Sequence, residues 1–435
     1  MDGGSRPRRR NFLILQGVAS RFFARLGEAL ETRGFGVRRI NFHAGDWLFG
    51  PFRGVCNYRG GLSQWPDFLE AKLSEWEITD IILFGDCRPV HAAAIAIAKR
   101  HQIPHYVFEE GYLRPNWITL ERGGTNGNST MPNDPEWILA EAQALPPFQE
   151  GEPTSTGFWT LAGQDIAYNL SSIVLAWLFP AYRRHRHWNP ILEYAGWAGR
   201  LVRQRLFDKK YIAEGLRAVQ CSGNSYFFFP LQVEGDTQIH RHSPYGGIAP
   251  AIEHVVGSFA RHAPPRTLLV IKEHPLDNGL NDWHGIVRQH ARAAGVADRV
   301  IYLAGGNLEV LVAAAKAVVT INSTVGARAL VHSKPLIALG KAIYNVPGLT
   351  FQDGLDAFWT NCMAADEALF EAFARILVQR CLVNGNFYSK EGIALAVAGS
   401  IARIEAAPHR FLEAVSAPVH REAADGSAHP VAAFN

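Results

Sequence analysis

The 435-residue chain is 48% apolar and 19% charged, material for two or three cored domains, which excludes global disorder. Its 43 Lys+Arg against 40 Asp+Glu leave +3, too small an excess for a nucleic-acid binder by bulk charge, and no nucleic-acid partner is expected. Cys56, Cys87, Cys221, Cys362 and Cys381 are scattered without a CxxC pair, which argues against a disulfide framework or a structural zinc site and fits a reducing cytosol.

Arg6, Arg8, Arg9 and Arg10 precede an apolar run, Phe12–Leu15, that stops at Gln16-Gly17. A signal-peptide core needs about 7–15 apolar residues, so no export signal is expected. Strand-like runs at Phe12–Leu15, Val37–Phe42, Ile81–Phe84 and His105–Phe108 alternate with helix-like segments at Arg21–Arg33, Trp65–Glu75 and Val90–His101. Gly34-Phe35-Gly36 and Gln102-Ile103-Pro104 stand where a helix should stop before the next strand. This predicts an α/β, Rossmann-like domain over 10–150 with a parallel sheet.

Residues 151–222 differ in character. Leu170–Tyr182 is apolar but broken by Ser171, Ser172 and Pro180, short of the roughly 20 residues a spanning helix requires. Residues 183–217 then hold nine Lys/Arg against three acids, with Trp188 and Trp197 interleaved and Trp177 just before them. Such a helical, basic insert reads either as a solvated face or as an anchor for anionic lipid. No RNA-binding signature accompanies it.

A second α/β series over 223–360 has strands at Tyr226–Leu231, Leu268–Lys272, Val300–Leu303, Ala317–Ile321 and Pro335–Leu339. Helices fit between them at Pro250–Ala260, Trp283–Ala294, Leu308–Ala315 and Val325–Val331. C-terminal helices, Ala365–Leu382 and Lys390–Ala406, occupy 361–410, and a tail at 411–435 is expected to be disordered. Two Rossmann-like domains facing a cleft is a glycosyltransferase-B-like (GT-B-like) plan, which by itself does not give function.

Open α/β sheets bind ligands at the carboxyl ends of their strands, and four polar clusters stand there. Glu109-Glu-Gly-Tyr-Leu-Arg-Pro115 puts two adjacent carboxyls at a sheet mouth, where each raises the other, and strand alternation points them to opposite sides. Leu231-Gln-Val-Glu-Gly-Asp-Thr-Gln238 offers Glu234 and Asp236. Lys272-Glu-His-Pro-Leu-Asp277 supplies a cation and an imidazole, with Pro275 fixing the turn. Thr320-Ile-Asn-Ser-Thr-Val-Gly326 opens a helix whose free N–H groups suit a phosphate, with Ser323 or Thr324 as cap. The first βα turn, Gln16-Gly-Val-Ala-Ser-Arg21, is neither a dinucleotide fingerprint nor a P-loop. No HExxH occurs, and the HxH pairs are only His185-Arg186-His187 and His240-Arg241-His242, so no metal or cofactor is expected.

With Phe84-Gly-Asp-Cys-Arg-Pro-Val-His91, these clusters occur in an order that closely resembles the bacterial capsule polysaccharide biosynthesis/export family of the KpsS type, over roughly residues 11–360. The resemblance implies cytoplasmic retaining β-Kdo transferases, which move 3-deoxy-D-manno-oct-2-ulosonic acid (Kdo) from CMP-Kdo onto a lysophosphatidylglycerol primer. It implies Asp236 as nucleophile and Glu109 as acid/base, with Glu110 its rival because some members read Glu-Asp-Gly where this chain has Glu-Glu-Gly. Lys272, His274, Pro275, Asn322, Ser323, Thr324 and Gln232 are expected to bind the donor, and Asp86, Arg88 and Arg114 the acceptor. A peripheral site at the inner-leaflet membrane surface and other capsule synthesis or export proteins as partners follow from the same resemblance. A transferase of another CMP-ulosonic acid, such as sialic acid, and a non-catalytic assembly component are the competing readings.

Overall fold

The structure, a computed structural model, describes residues 9–50, 54–183, 190–203, 209–221, 223 and 225–406. The expected tail and Arg184, Arg186 and Trp188 of the insert lie outside them. In the first half, β1 (Asn11–Ile14), β2 (Gly36–Asn41), β3 (Val55–Asn57), β4 (Asp80–Phe84), β5 (His105–Glu110) and β6 (Trp117–Arg122) form one sheet. The second sheet holds β7 (Ser225–Pro230), β8 (Thr267–Lys272), β9 (Val300–Leu303), β10 (Ala317–Thr320) and β11 (Leu336–Ala338) in the order β11-β10-β7-β8-β9. All its pairings are parallel. Phe12, Leu13, Ile14, Ile81, Ile82, Leu83, Phe227, Phe228 and Phe229 are fully buried, as strands covered by helices on both faces must be.

Two strands of the first sheet depart from the expected parallel series. β6 runs antiparallel to β5, with Glu109 opposite Thr119 and Glu110 opposite Ile118. The chain then returns from its far end: β12 (Leu382–Asn384) adds antiparallel to β6, giving the order β12-β6-β5-β4-β1-β2-β3. The helix expected over Ala365–Leu382 therefore ends at Ile376, and a π-turn at Leu377–Cys381 delivers β12. The following helix, Lys390–Ala406, packs on Phe22–Thr32, and Val383, Phe387, Ala396, Ile401 and Ile404 join Phe12, Ile14 and Phe22 in one core. The C-terminal helices are thus partly a wall of the first domain.

The insert divides between the domains. Its first helix, Phe158–Val174, packs on Ala44–Leu48 of the first domain. Its second, Pro190–Arg203, is pinned to the second domain by Arg200, a residue the charge count places on a basic face but which is 3% exposed and paired with Glu273 at 3.0 Å. Its third, Lys209–Cys221, lies on β9.

Candidate active site

Glu109 and Glu110 are the last two residues of β5, not a turn after it, and the pleat sends them apart. Glu110 accepts the Tyr388 hydroxyl at 3.0 Å. Glu109 points the other way, past Gly85, whose left-handed φ of +69° turns the chain after β4 and whose missing side chain leaves room for the carboxyl. Protein surrounds the Glu109 carboxyl on most sides, although the residue as a whole is half-buried. Burial, then repulsion from Glu110 and Asp236, pushes it up to about 7, against the opposing pull of the Glu110 N–H and Arg88.

Asp236 reaches the same space from the second domain. It caps Thr237–His242, with Oδ1 accepting from the Gln238 N–H at 2.9 Å. Its Oδ2 accepts from Gln232 Nε2 at 3.3 Å, and that amide also donates to Asn322 Oδ1 at 3.1 Å. Asn322 in turn donates to the Gln238 carbonyl at 2.8 Å. Gln232 and the Gln238 N–H therefore hold Asp236 in place, and Asn322 braces Gln232 and the Gln238 carbonyl. Glu234 is turned away, accepting from the Ile248 N–H at 3.0 Å.

At the end of β8, Lys272 is 4% exposed and donates to the Glu273 carbonyl at 3.1 Å; burial lowers its pKa. His274 accepts the Leu276 N–H on Nδ1 at 3.0 Å, so its proton sits on Nε2, free to donate. Burial, then Lys272, Arg114 and Arg200, lowers its pKa to about 4, which keeps the ring neutral. Pro275 is exposed at the turn. Ser323 Oγ accepts from the Val325 N–H at 3.2 Å, whereas Thr324 makes no cap bond at the start of the seven-residue helix Val325–Val331. Thr324 and Asn322 instead line a small crevice with Lys341 and, from the first domain, Tyr112 and Asn126.

Arg88 donates to the Gly17 carbonyl at 3.1 Å and borders a cavity of about 180 Å³ lined by His43, Tyr168, Ser172, Tyr182 and Tyr388. Asp86 is buried, its Oδ2 accepting from Thr125 N at 3.0 Å and Asn128 Nδ2 at 3.1 Å, so this carboxyl orders a loop. Arg114 acts electrostatically on His274, and its carbonyl accepts from Arg328 of the second domain at 3.2 Å, which places it between the domains.

The sequence matches the capsule polysaccharide biosynthesis protein family over residues 79–388, a span holding all of these clusters. The chain belongs to that family. It is 34% identical over 379 residues to the capsule polysaccharide export protein KpsS of Escherichia coli, covering 87% of this chain and 97% of that one. It is equally identical over 388 residues to the capsule polysaccharide modification protein LipB of Neisseria meningitidis, covering 87% and 92%. Among solved structures, the β-Kdo 2,7 transferase KpsC of Thermosulfurimonas dismutans aligns over 91% of this chain and 100% of its own, at 13% identity and a TM-score of 0.41.

Several site residues carry no motif. Tyr388 reaches Glu110 only through the C-terminal return, and Tyr168 reaches Asp46 at 2.9 Å only because the first insert helix docks there. His242 lies 3.2 Å from Cys87, 155 residues away in sequence. The one available hint was His240-Arg241-His242 itself, which spacing alone could not pair with a cysteine.

Proposed function

We propose that this capsule polysaccharide biosynthesis protein is a retaining glycosyltransferase that moves Kdo from CMP-Kdo to a lysophospholipid primer, in two displacements and without a metal in the chemistry. The observation that carries the reading is the pair of carboxyls near enough to influence one another across the domains, Asp236 held by the Gln232 amide and the Gln238 N–H and Glu109 raised toward neutrality. Retention by two displacements needs those two roles. Asp236 attacks the anomeric carbon as the bond to the CMP phosphate breaks, giving a glycosyl ester. Glu109, ionised, then takes the acceptor hydroxyl proton as that oxygen displaces Asp236. Neutral His274, with a donor on Nε2, suits a phosphodiester oxygen, and Asn322 and Thr324 border a crevice between the domains.

The acceptor side of the reading rests on the cavity beside Arg88 and on the helix that walls it. Phe158–Val174 turns Tyr168, Asn169 and Ser172 toward that cavity, while Trp159, Ile166, Leu170 and Val174 are exposed along it, followed by Trp177. Among the described residues no helix is long and apolar enough to cross a membrane. A polar cavity beside an exposed apolar stripe suits a phospholipid whose headgroup enters the protein while the protein rests on the inner-leaflet surface. Offering CMP-Kdo with a lysophospholipid and identifying the product by mass spectrometry tests the reading. A product carrying one Kdo with retained configuration supports it; CMP release from CMP-sialic acid but not from CMP-Kdo, or no transfer at all, rejects it.

A further inference from the structure

We propose that Asp86, Cys87 and His242 bind one thiophilic divalent cation, zinc by the chemistry of its ligands, which clamps the two domains across the cleft. Cys87 Sγ lies 3.1 Å from Asp86 Oδ1 and 3.2 Å from His242 Nε2, and the three ligand atoms all lie within 4.8 Å of one another. Ligands at about 2.0–2.3 Å from a tetrahedral zinc stand roughly 3.3–3.7 Å apart, so small side-chain shifts would admit the ion.

Three features make this a built site and not a chance meeting of polar groups. The carboxyl is already oriented: both hydrogen bonds from Thr125 and Asn128 fall on Oδ2, which leaves Oδ1 turned to the thiol. Hydrogen bonds behind a ligand are what fix metal ligands in direction. The ligand types also agree, since a thiolate and a carboxylate neutralise a dication and a neutral imidazole completes a mixed N, O, S set. Asp86 and His242 are both nearly inaccessible to solvent, while Cys87 between them is half-buried, which leaves one side of the group open.

The ligands come from opposite halves of the molecule. Asp86 and Cys87 follow β4 in the first domain, and His242 ends the Thr237–His242 helix that Asp236 caps. Gly127 of the first domain lies directly against the His242 ring, where a Cβ would come within 2.5 Å of it. An ion here would fix the distance between the helix carrying Asp236 and the strand end that precedes Arg88. On binding, the metal–sulfur bond forms as the thiol proton leaves to solvent, with no change of oxidation state. The fourth position is left for water or a substrate oxygen, as in open zinc sites. The transfer chemistry proposed above does not depend on the ion.

The test uses the metal-stripped full-length protein, titrated with Co²⁺ and then with Zn²⁺ in competition with a chromogenic chelator. One ion per chain and a thiolate-to-cobalt charge-transfer band are expected, with the band absent in Cys87→Ser. Zinc affinity should fall by about 100-fold or more in Cys87→Ser and at least about tenfold in His242→Gln. No thiolate band in the wild type, or a Cys87→Ser protein that binds zinc as tightly as the wild type, overturns the proposal. Should either variant fail to fold, wild-type protein alkylated with and without zinc and mapped by peptide mass spectrometry decides the matter. Protection confined to Cys87 supports the site; equal labelling of Cys87 in both samples overturns it.

Discussion

Tyr388 donates its hydroxyl to Glu110 at 3.0 Å across a sequence separation of 278 residues. That bond commits Glu110 to the C-terminal segment that closes the first sheet. Glu109, on the other side of the pleat, is left facing Arg88 and Asp236. Within the twin carboxyls, the one left for the proton transfer proposed above is Glu109.

The pH profile follows from this. In the proposed mechanism Glu109 must be ionised to accept the acceptor's proton, and burial raises its pKa to about 7. Transfer to acceptor should therefore rise with pH through about 7 and level off above it. Glu109→Gln should lose this limb together with about 10²–10⁴-fold in rate. Glu110→Gln should keep the limb and lose far less. A limb that survives in Glu109→Gln would assign the proton transfer elsewhere.

Asp236→Ala should abolish nearly all turnover while CMP still binds, because the donor phosphate contacts lie at other residues. Glu109→Gln protein given CMP-Kdo without acceptor should accumulate a glycosyl adduct that peptide mapping places on Asp236. Gln232→Ala should lower kcat about tenfold with a smaller effect on the donor KM, since removing its amide frees the nucleophile to rotate. An adduct on Glu234 or Glu110, or inversion at the anomeric carbon, would refute the assignment.

His274 is the cleaner test of the donor side, because Lys272 is buried and its loss should also weaken the fold. His274→Ala should cost about 1.5–3 kcal/mol in CMP binding, roughly 10- to 150-fold in Kd, the range for a hydrogen bond to a charged group. Calorimetric titration with CMP reads it directly. Unchanged affinity in a folded variant would move the phosphate site away from β8.

Stability should fall as pH rises from about 5 to about 7, and Glu121 is a reason. Burial raises its carboxyl to about 7, above the ordinary 4.5, while Ser129 and Tyr112 donate to it. A carboxyl raised on folding stabilises fully below its unfolded pKa, and that contribution is lost as pH rises through about 7. Glu121→Gln should thus flatten the decline between pH 5 and pH 8, by up to about 3 kcal/mol. Denaturant unfolding at the two pH values shows it; equal slopes in wild type and variant would place the titration on another group.

For membrane contact, Trp159→Ala and Trp177→Ala should each weaken binding to vesicles containing anionic lipid, since both rings are largely exposed. Reversing the charge of Arg183, Arg184 and Arg186 should cost about 1 kcal/mol per residue and make the remaining binding insensitive to salt. Sedimentation that ignores both sets of changes would leave this face without a lipid role.

The sequence by itself determined the two Rossmann-like series and the clusters that matter, because buried parallel strands are short apolar runs and open sheets keep their polar groups at strand ends. Phe12–Leu15, Ile81–Phe84 and Leu268–Lys272 could be read within a residue or so for that reason, and so could Glu109 and His274 as residues at or just past a strand end; Asp236 stands six residues beyond β7, as the cap of the next helix. The three-residue strands Val55–Asn57 and Leu382–Asn384 were beyond it, since their conformation comes from neighbours far away in the chain and not from local pattern. Only the tertiary structure decided which way the twin carboxyls divide, through Tyr388, and that Arg200 is a buried anchor instead of a solvated charge. It alone brought Cys87 beside His242. Each of these is a pairing between distant segments, fixed by how the two domains and the returning C-terminus pack, and no periodicity within one segment encodes it.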